Sequence, residues 1–296
     1  WNHNGFTVDD IDSGTANESG MTYASWSWKA GGGSGAGGEF WIDDVQYANF
    51  AATGLTAGDI TPTALSLGTK SGFCIMTYTG SGTVTDDLNH HLGAIPGLVM
   101  IKKRNASANW AVKFPQQMAG GQRLELQVNS AYQSEGAGSG SLWNAENPTD
   151  TRIRFGNYSM TNGSGDSYVA YVWRNVTGLQ KFGTYKGNQS TGGPYVHLGF
   201  RPAFIIIKRG ANGGSWNMLD VERNPGENPL SRELVADETT IETGVEATNS
   251  IDFVSDGFKV RSGNEGEHNA NGDVYHYAAW AEQPSFNLYG AHSNAR

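Results

Sequence analysis

Cysteine is almost absent. Cys74 is the only one in 296 residues, which excludes an internal disulfide framework, and its neighbours Phe73, Ile75 and Met76 mark it as a packed strand residue without a redox role. Charge is also sparse, at 17% of residues, and the basic share is the smaller, with 20 Lys and Arg against 29 Asp and Glu for a formal net charge of -9. Such a chain lacks the basic face that replaces counterions along phosphates, so a nucleic-acid partner is not expected. Long apolar runs are missing too. The longest, Leu98 to Ile101 and Ala203 to Ile207, fall far short of the ~20 residues of a membrane helix, and no membrane insertion is expected.

What the chain does have is 41 glycines, 9 tryptophans and 12 tyrosines, a mix that suits short strands joined by tight turns. One aromatic stretch occurs three times, as Gly20 to Lys29, Gly165 to Arg174 and Gly272 to Ala281, each fitting G-x-x-Y-x-x-x-x-W. On a strand, side chains alternate between faces, so the Tyr and the Trp five positions later point to opposite sides. Both faces of such a strand should therefore be covered. Each copy follows a polar loop rich in Asn, Gly and Ser, which is turn chemistry leading into a strand.

The rest of the chain repeats as well. Thr77-Tyr78-Thr79-Gly80 answers to Thr184-Tyr185-Lys186-Gly187, His91-Leu92-Gly93 to His197-Leu198-Gly199, Leu98 to Lys103 to Ala203 to Lys208, and Trp110 to Trp216, at offsets of 105 to 107 positions. Repetition at a fixed offset marks repeated structural units. The expected architecture is all-β, with tandem β-sandwich repeats of jelly-roll or lectin-like kind at residues 72–178 and 179–296 and six to nine strands in each. Residues 1–30 read as the C-terminal part of a preceding repeat, because Gly5-Phe6-Thr7-Val8 stands before the first aromatic stretch as Gly257-Phe258-Lys259-Val260 stands before the third. Trp1 follows no Met, basic n-region or signal h-region, so an upstream segment is expected to have been cleaved or left out. Residues 31–71 read as a Gly-rich tether, then a strand or extended arm at 39–50, then surface-running coil from Ala51 to Lys70. One or two helical turns are expected at Pro229 to Glu238.

No catalytic constellation assembles on spacing. No Ser stands in a G-x-S-x-G elbow, and the Gly-rich runs at 31–38 and 136–140 do not lead into a helix that could receive a phosphate. The neighbouring carboxylates Asp9-Asp10-Ile11-Asp12, Asp43-Asp44, Asp86-Asp87 and Glu265-Gly266-Glu267 read as solvated loop charges, since a glycosidase needs two carboxyls facing one cleft. Asp9, Asp10 and Asp12 have the oxygen ligands of a calcium loop without its Gly and terminal Glu. No cofactor and no metal site is expected. His91 and His197 are expected to hydrogen-bond backbone ahead of a buried strand. Lys102, Lys103, Arg104, Lys208 and Arg209 either stop apolar strands and block edge pairing or take anionic sugars.

The runs FWIDDVQYA (Phe40 to Ala48), LTAGDITPTALSLGTKSGF (Leu55 to Phe73), FGTYKGN (Phe182 to Asn188), GFRPAFIIIKR (Gly199 to Arg209) and FVSDGFKVRS (Phe253 to Ser262) resemble tandem-repeat proteins of tailed phages, especially marine ones. These are taken to be tail-fibre or other virion-surface proteins bearing a domain of unknown function. The resemblance implies a virion location, homo-oligomeric assembly, commonly a trimer in fibres, contact with other virion proteins and attachment to the host. It supplies no catalytic motif. The expected function is a non-enzymatic structural and adhesive phage protein that binds a host surface glycan or receptor. A polysaccharide-degrading tailspike and a capsid decoration protein without a receptor are the alternatives.

A repeat keeps its framework and varies its loops. The segments Pro115 to Asp150 and Val221 to Ser250 share little, so Tyr132, Trp143, Arg223, Asn224 and Asn228 are the expected ligand-binding residues. Packing of these segments against neighbouring subunits is the competing expectation. Exposed rings can stack on the C–H face of a sugar, and Tyr158 and Tyr195, which have no counterpart in the other unit, are further candidates.

Overall fold

The computed structural model describes residues 6–8, 17–32, 39–230, 232–244, 250–263 and 266–284. Strands β1 (Phe40–Ile42) and β2 (Val45–Tyr47) form a hairpin, and one 3-10 turn (Ala51–Thr53) precedes β3 (Ala64–Gly68). Then come β4 (Phe73–Thr79), β5 (Asp87–Asn89), β6 (Leu98–Lys103), β7 (Ala111–Lys113), β8 (Gln122–Glu125), β9 (Gln133–Ser134), β10 (Arg152–Arg154) and β11 (Ser167–Trp173). The second half supplies β12 (Gln180–Lys186), β13 (Tyr195–His197), β14 (Pro202–Arg209), β15 (Trp216–Asp220), β16 (Arg232–Val235), β17 (Thr243–Gly244), β18 (Ile251–Val254), β19 (Gly257–Val260) and β20 (Val274–Ala281). The fold is all-β, built from sheets packed as sandwiches.

The aromatic stretch sits at the centre of each large sheet. Strand β11 is antiparallel to β4 on one edge and β6 on the other, and β20 lies in the same way between β12 and β14. The larger sheet runs β2-β1-β3-β4-β11-β6-β7-β8-β9 and the second β12-β20-β14-β15-β16-β17, so from the strand before the aromatic one to the outer edge the two orders agree. A small sheet, β10-β5 in the first unit and β13-β19-β18 in the second, covers one face of each.

Side-chain alternation then divides the apolar residues among three cores. Tyr168, Ala170 and Val172 of β11 point into the first sandwich with Leu88, Ile153 and Phe155. Tyr275, Tyr277 and Ala279 of β20 point into the second with Phe253, Phe258 and Val260. The opposite faces meet each other: Phe73, Leu98 and Trp173 pack with Phe182, Phe204, Ala278 and Trp280 in a third cluster between the large sheets. The two-sided reading holds for β11 and β20, whose second cover is the sister unit, and fails for the first copy, where no strand forms and Tyr23 is 51% exposed.

Polar groups of the loops ahead of β11 and β20 are satisfied in matching ways. The Tyr168 hydroxyl accepts from the Gly163 N–H at 2.8 Å and donates to the Ser159 carbonyl at 2.7 Å, while Tyr275 does the same with Ala270 and Gly266, both at 2.8 Å. Tyr78 and Tyr185 stack on these rings and donate to the carbonyls of Thr161 and His268. The fully buried Asn162 and Asn269 cross-link the same loops through backbone groups on both sides. Burying these groups is tolerable because each finds a partner.

Two local expectations fail. Ala51 to Lys70 is not surface coil throughout, since β3 pairs with β4 and lies parallel to β1, and Leu65 and Leu67 enter the first core. Its serine-spaced leucines supply the period of a half-buried strand. Pro229 to Glu238 holds strand β16 rather than a helical turn, because Leu234 and Val235 pair with Met218 and Asn217 of β15. Residues 33–38 of the glycine tether lie outside the described residues. Gly31 is pinned, however: its N–H donates to Ser66 Oγ at 3.0 Å, and a Cβ there would lie 2.2 Å from the Leu67 carbonyl oxygen.

Truncating a ring in the cluster between the sheets should open a cavity that rigid strands cannot close. Trp173→Ala and Trp280→Ala are each expected to lower the unfolding free energy by roughly 3–5 kcal/mol, read from denaturant titration with fluorescence and far-UV circular dichroism.

Candidate functional site

The variable segment of the first unit does not hang free. It folds over the second unit. The Tyr132 N–H donates to the Gly210 carbonyl at 3.0 Å, and the Tyr132 hydroxyl is hydrogen-bonded to His276 Nε2. Gly210 permits this approach, because a Cβ there would sit 2.2 Å from that hydroxyl. Nearby, Gly214 N–H donates to the Asn129 carbonyl at 2.7 Å, Lys208 Nζ to the Ser130 carbonyl at 3.0 Å, and Trp216 Nε1 to the Glu125 carbonyl at 2.9 Å. Burial pushes the Tyr132 hydroxyl up to about 12 and the His276 imidazole down to about 3, with Lys208 adding to the latter. Both groups are neutral and face a protein partner.

The other expected ligand-binding residues are likewise engaged. Trp143 is fully buried, so the expectation of ligand stacking there is corrected; its backbone N–H donates to Glu135 Oε1 at 2.7 Å, and Lys113 Nζ lies 5.7 Å from its ring centroid. That ammonium is itself buried and donates to the carbonyls of Ala119, Gly120 and Gln122, and burial draws its pKa down to about 7. Arg223 spends its guanidinium on Asp220 at 2.6 Å, Glu242 at 2.9 Å and the Met218 carbonyl at 3.0 Å, with Trp26 5.8 Å away. Asn224 is buried and bonds the backbone of Asp220 and Arg232. Asn228 exchanges two hydrogen bonds with the Phe253 backbone. The structure brings Arg223, Asn224 and Asn228 together in one loop, while Tyr132 and Trp143 serve other packing sites. These polar groups hold backbone, as buried or half-buried groups must when water is excluded.

The histidine and lysine expectations also change. Among the described residues, neither His91 nor His197 anchors backbone through its ring. His90 does so, with Nε2 at 3.1 Å from the Thr149 carbonyl and Nδ1 accepting from Leu92 N–H at 3.2 Å, and burial lowers its pKa to about 4. Lys103 and Arg209 neither block an edge nor present a free cation, because they hold Asp166 and Asp273, residues at the start of the aromatic strands. Asp43 caps Thr69 N–H at 2.8 Å and Asp44 meets Lys29 at 2.5 Å, both on the exposed surface as expected, whereas Asp87 is buried and meets Arg152 at 3.3 Å. Asp9, Asp10, Asp12 and Glu265 lie outside the described residues. Among the described residues no three His, Cys, Asp or Glu side chains converge as a metal site would require. Cys74 is sealed in the first core, and burial pushes its thiol pKa up.

Among the described residues, two surfaces stand open to a ligand in addition to the ring of Tyr158, which is 40% exposed. On β13, Tyr195 is 48% exposed, and the neighbouring Asp256 carboxylate raises the pKa of its hydroxyl. His197 Nδ1 lies 3.6 Å from the same Asp256, and Lys259 is the cross-strand partner of Tyr195. The second surface is apolar. Residues 25–29 cross the splayed margin of the cluster between the large sheets, leaving a cleft of about 390 Å³ along one flank and one of about 290 Å³ along the other. Sequence reading pointed to Tyr195 through its lack of a repeat partner. It could not reach the clefts, because they exist only where the two units and the first aromatic stretch meet.

The fold and these surfaces define a tandem β-sandwich protein with an aromatic cleft and an exposed tyrosine patch. The sequence matches, over residues 1–284, a family described as a domain of unknown function, DUF7483, and the chain belongs to it. That single match spans the first aromatic stretch together with both sandwiches. No curated protein and no solved structure matches the chain.

Burial of His276 sets a pH dependence. The folded His276 pKa, about 3, lies below the ordinary 6.5, so between these values the unfolded chain binds a proton that the folded chain refuses. The His276 contribution to stability is therefore complete above about pH 6.5 and declines as pH falls toward 3, by roughly 1.4 kcal/mol per pH unit for one proton at the steepest. His276→Gln should flatten this acid limb without abolishing it, since His90 still titrates. Urea midpoints measured from pH 7 to pH 4 in both proteins would show the difference.

Proposed function

We propose that the chain is a structural and adhesive component of a phage virion, a tail fibre or other receptor-binding part, that attaches to the host cell surface through glycans. In this reading it stands on the particle as a homo-oligomer, a trimer, alongside other virion proteins. The observation that carries the adhesive part is the Tyr195 patch. An exposed ring flanked by a carboxylate, an imidazole and an ammonium offers the stacking face and the hydrogen-bonding groups that sugars use. The scaffold fits such a role, since hydroxyls and buried amides lock its loops and leave the patch on a rigid sheet. The virion assignment rests on the resemblance of the motifs from Phe40 to Ser262 to phage tail-fibre-like repeats.

Tyr195→Ala is expected to weaken adsorption to host cells, or binding to their purified envelope polysaccharide, by several-fold while the far-UV spectrum and oligomeric state stay unchanged. Undiminished binding would remove the patch from the proposal. Release of oligosaccharide with turnover would replace passive adhesion by a polysaccharide-degrading tailspike.

A further inference from the structure

We propose that residues 20–30 are the central strand of a third sheet, and that the surface along both edges takes two antiparallel β-strands of a partner polypeptide. The starting point is the equivalence of the three aromatic stretches. Two of them, in β11 and β20, are hydrogen-bonded to a neighbour on each edge. The first, from Thr22 to Lys29, makes no backbone hydrogen bond among the described residues.

The unpaired stretch nevertheless has the shape of its equivalents. The Tyr23 hydroxyl accepts from the Glu18 N–H at 2.9 Å, five residues back, as Tyr168 accepts from Gly163 and Tyr275 from Ala270. Exposure alternates with the period of a strand, Trp26, Trp28 and Ala30 half-buried and Tyr23, Ser25 and Ser27 exposed. The three equivalent tryptophans meet. Trp28 lies 6.2 Å from Trp173 and 5.0 Å from Trp280, and those two are 6.1 Å apart, ring centre to ring centre. Three aromatic strands thus converge on one point, and only two of them stand in a sheet.

The chemistry of the clefts indicates what completes the third. One flank of residues 25–29 is lined by Phe73, Leu179 and Phe204, the other by Ile75, Met100 and Ile206. The first flank also carries Lys29, Ser71 and Gln180, whose amide is spent on the carbonyls of Ser71, Gly72 and Arg174. The second is apolar apart from Ser27 and the Trp and Tyr ring atoms, so a sugar finds few partners for its hydroxyls. These walls suit the apolar face of a strand whose N–H and C=O groups pair with the open edge beside it, the mode in which an extended peptide adds to a sheet. The occupant's outer face is polar, since Ser25 and Ser27 stand where Ala170 and Val172 enter the first core. Met21 replaces Asp166 and Asp273, so the partner strand needs no cation at the place of Lys103 and Arg209. A second copy of the chain cannot lend β4 or β6, because both are already paired with its own β11.

Hydrogen exchange on the intact chain tests this. The probe is a synthetic peptide of residues 72–104, which carries both kinds of flanking strand. The peptide is expected to slow exchange of the Thr22 to Trp28 amides by about tenfold or more. Ala24→Pro together with Ser27→Pro removes one N–H group from each edge, neither of which has a partner in the free chain among the described residues; this variant should keep the parent's circular dichroism and lose the peptide-induced protection. Absence of protection in the parent would overturn the proposal. So would protection that survives both prolines, which means side-chain binding alone, or protection that grows with protein concentration without peptide, which means pairing between copies.

Discussion

A sheet with two apolar faces must be covered twice, and this constraint shapes the whole molecule. In β11 and β20 the tyrosine faces one core and the tryptophan another, so neither strand has a side that water can take. The small sheets cover the tyrosine faces. The tryptophan faces then have to cover each other, which fixes the large sheets face to face and makes the pair of units one packed body.

That contact accounts for the behaviour of the variable segments. A loop beside a buried face is recruited to seal its margin, and the segment carrying Tyr132 does so by hydrogen-bonding His276 and the Gly210 carbonyl. Once Lys208, Trp216 and Arg223 hold backbone or carboxylate groups, their polarity is internal structure rather than recognition chemistry. Variation between the units therefore records two different docking tasks. The first unit's loop reaches across to its sister, and the second unit's loop closes on β15 and on the Phe253 backbone.

Recognition is left to surfaces that the packing does not consume. Tyr195 and its neighbours stand on the small sheet, on the outer side of the sandwich, where no other layer is required. The aromatic stretch at residues 20–30 is the converse case. It carries the sequence of a central strand without the neighbours of one, and the clefts beside it are the room those neighbours would fill.

The sequence alone determined the all-β class, the repeated strand order and the two-faced aromatic strand, because each follows from local period, turn chemistry or repetition along the chain. It also singled out Tyr195 by its lack of a counterpart. Tertiary structure decided what covers each face. Nothing local to Tyr132 announces a partner 144 positions away, and nothing in the run around Trp143 separates a loop ring from a core ring until Lys113 and Glu135 are folded against it. The leucines of β3 could serve a coil or a strand, and pairing with β4 chose the strand. Burial is a property of what lies opposite a residue, and opposite residues here come from distant parts of the chain.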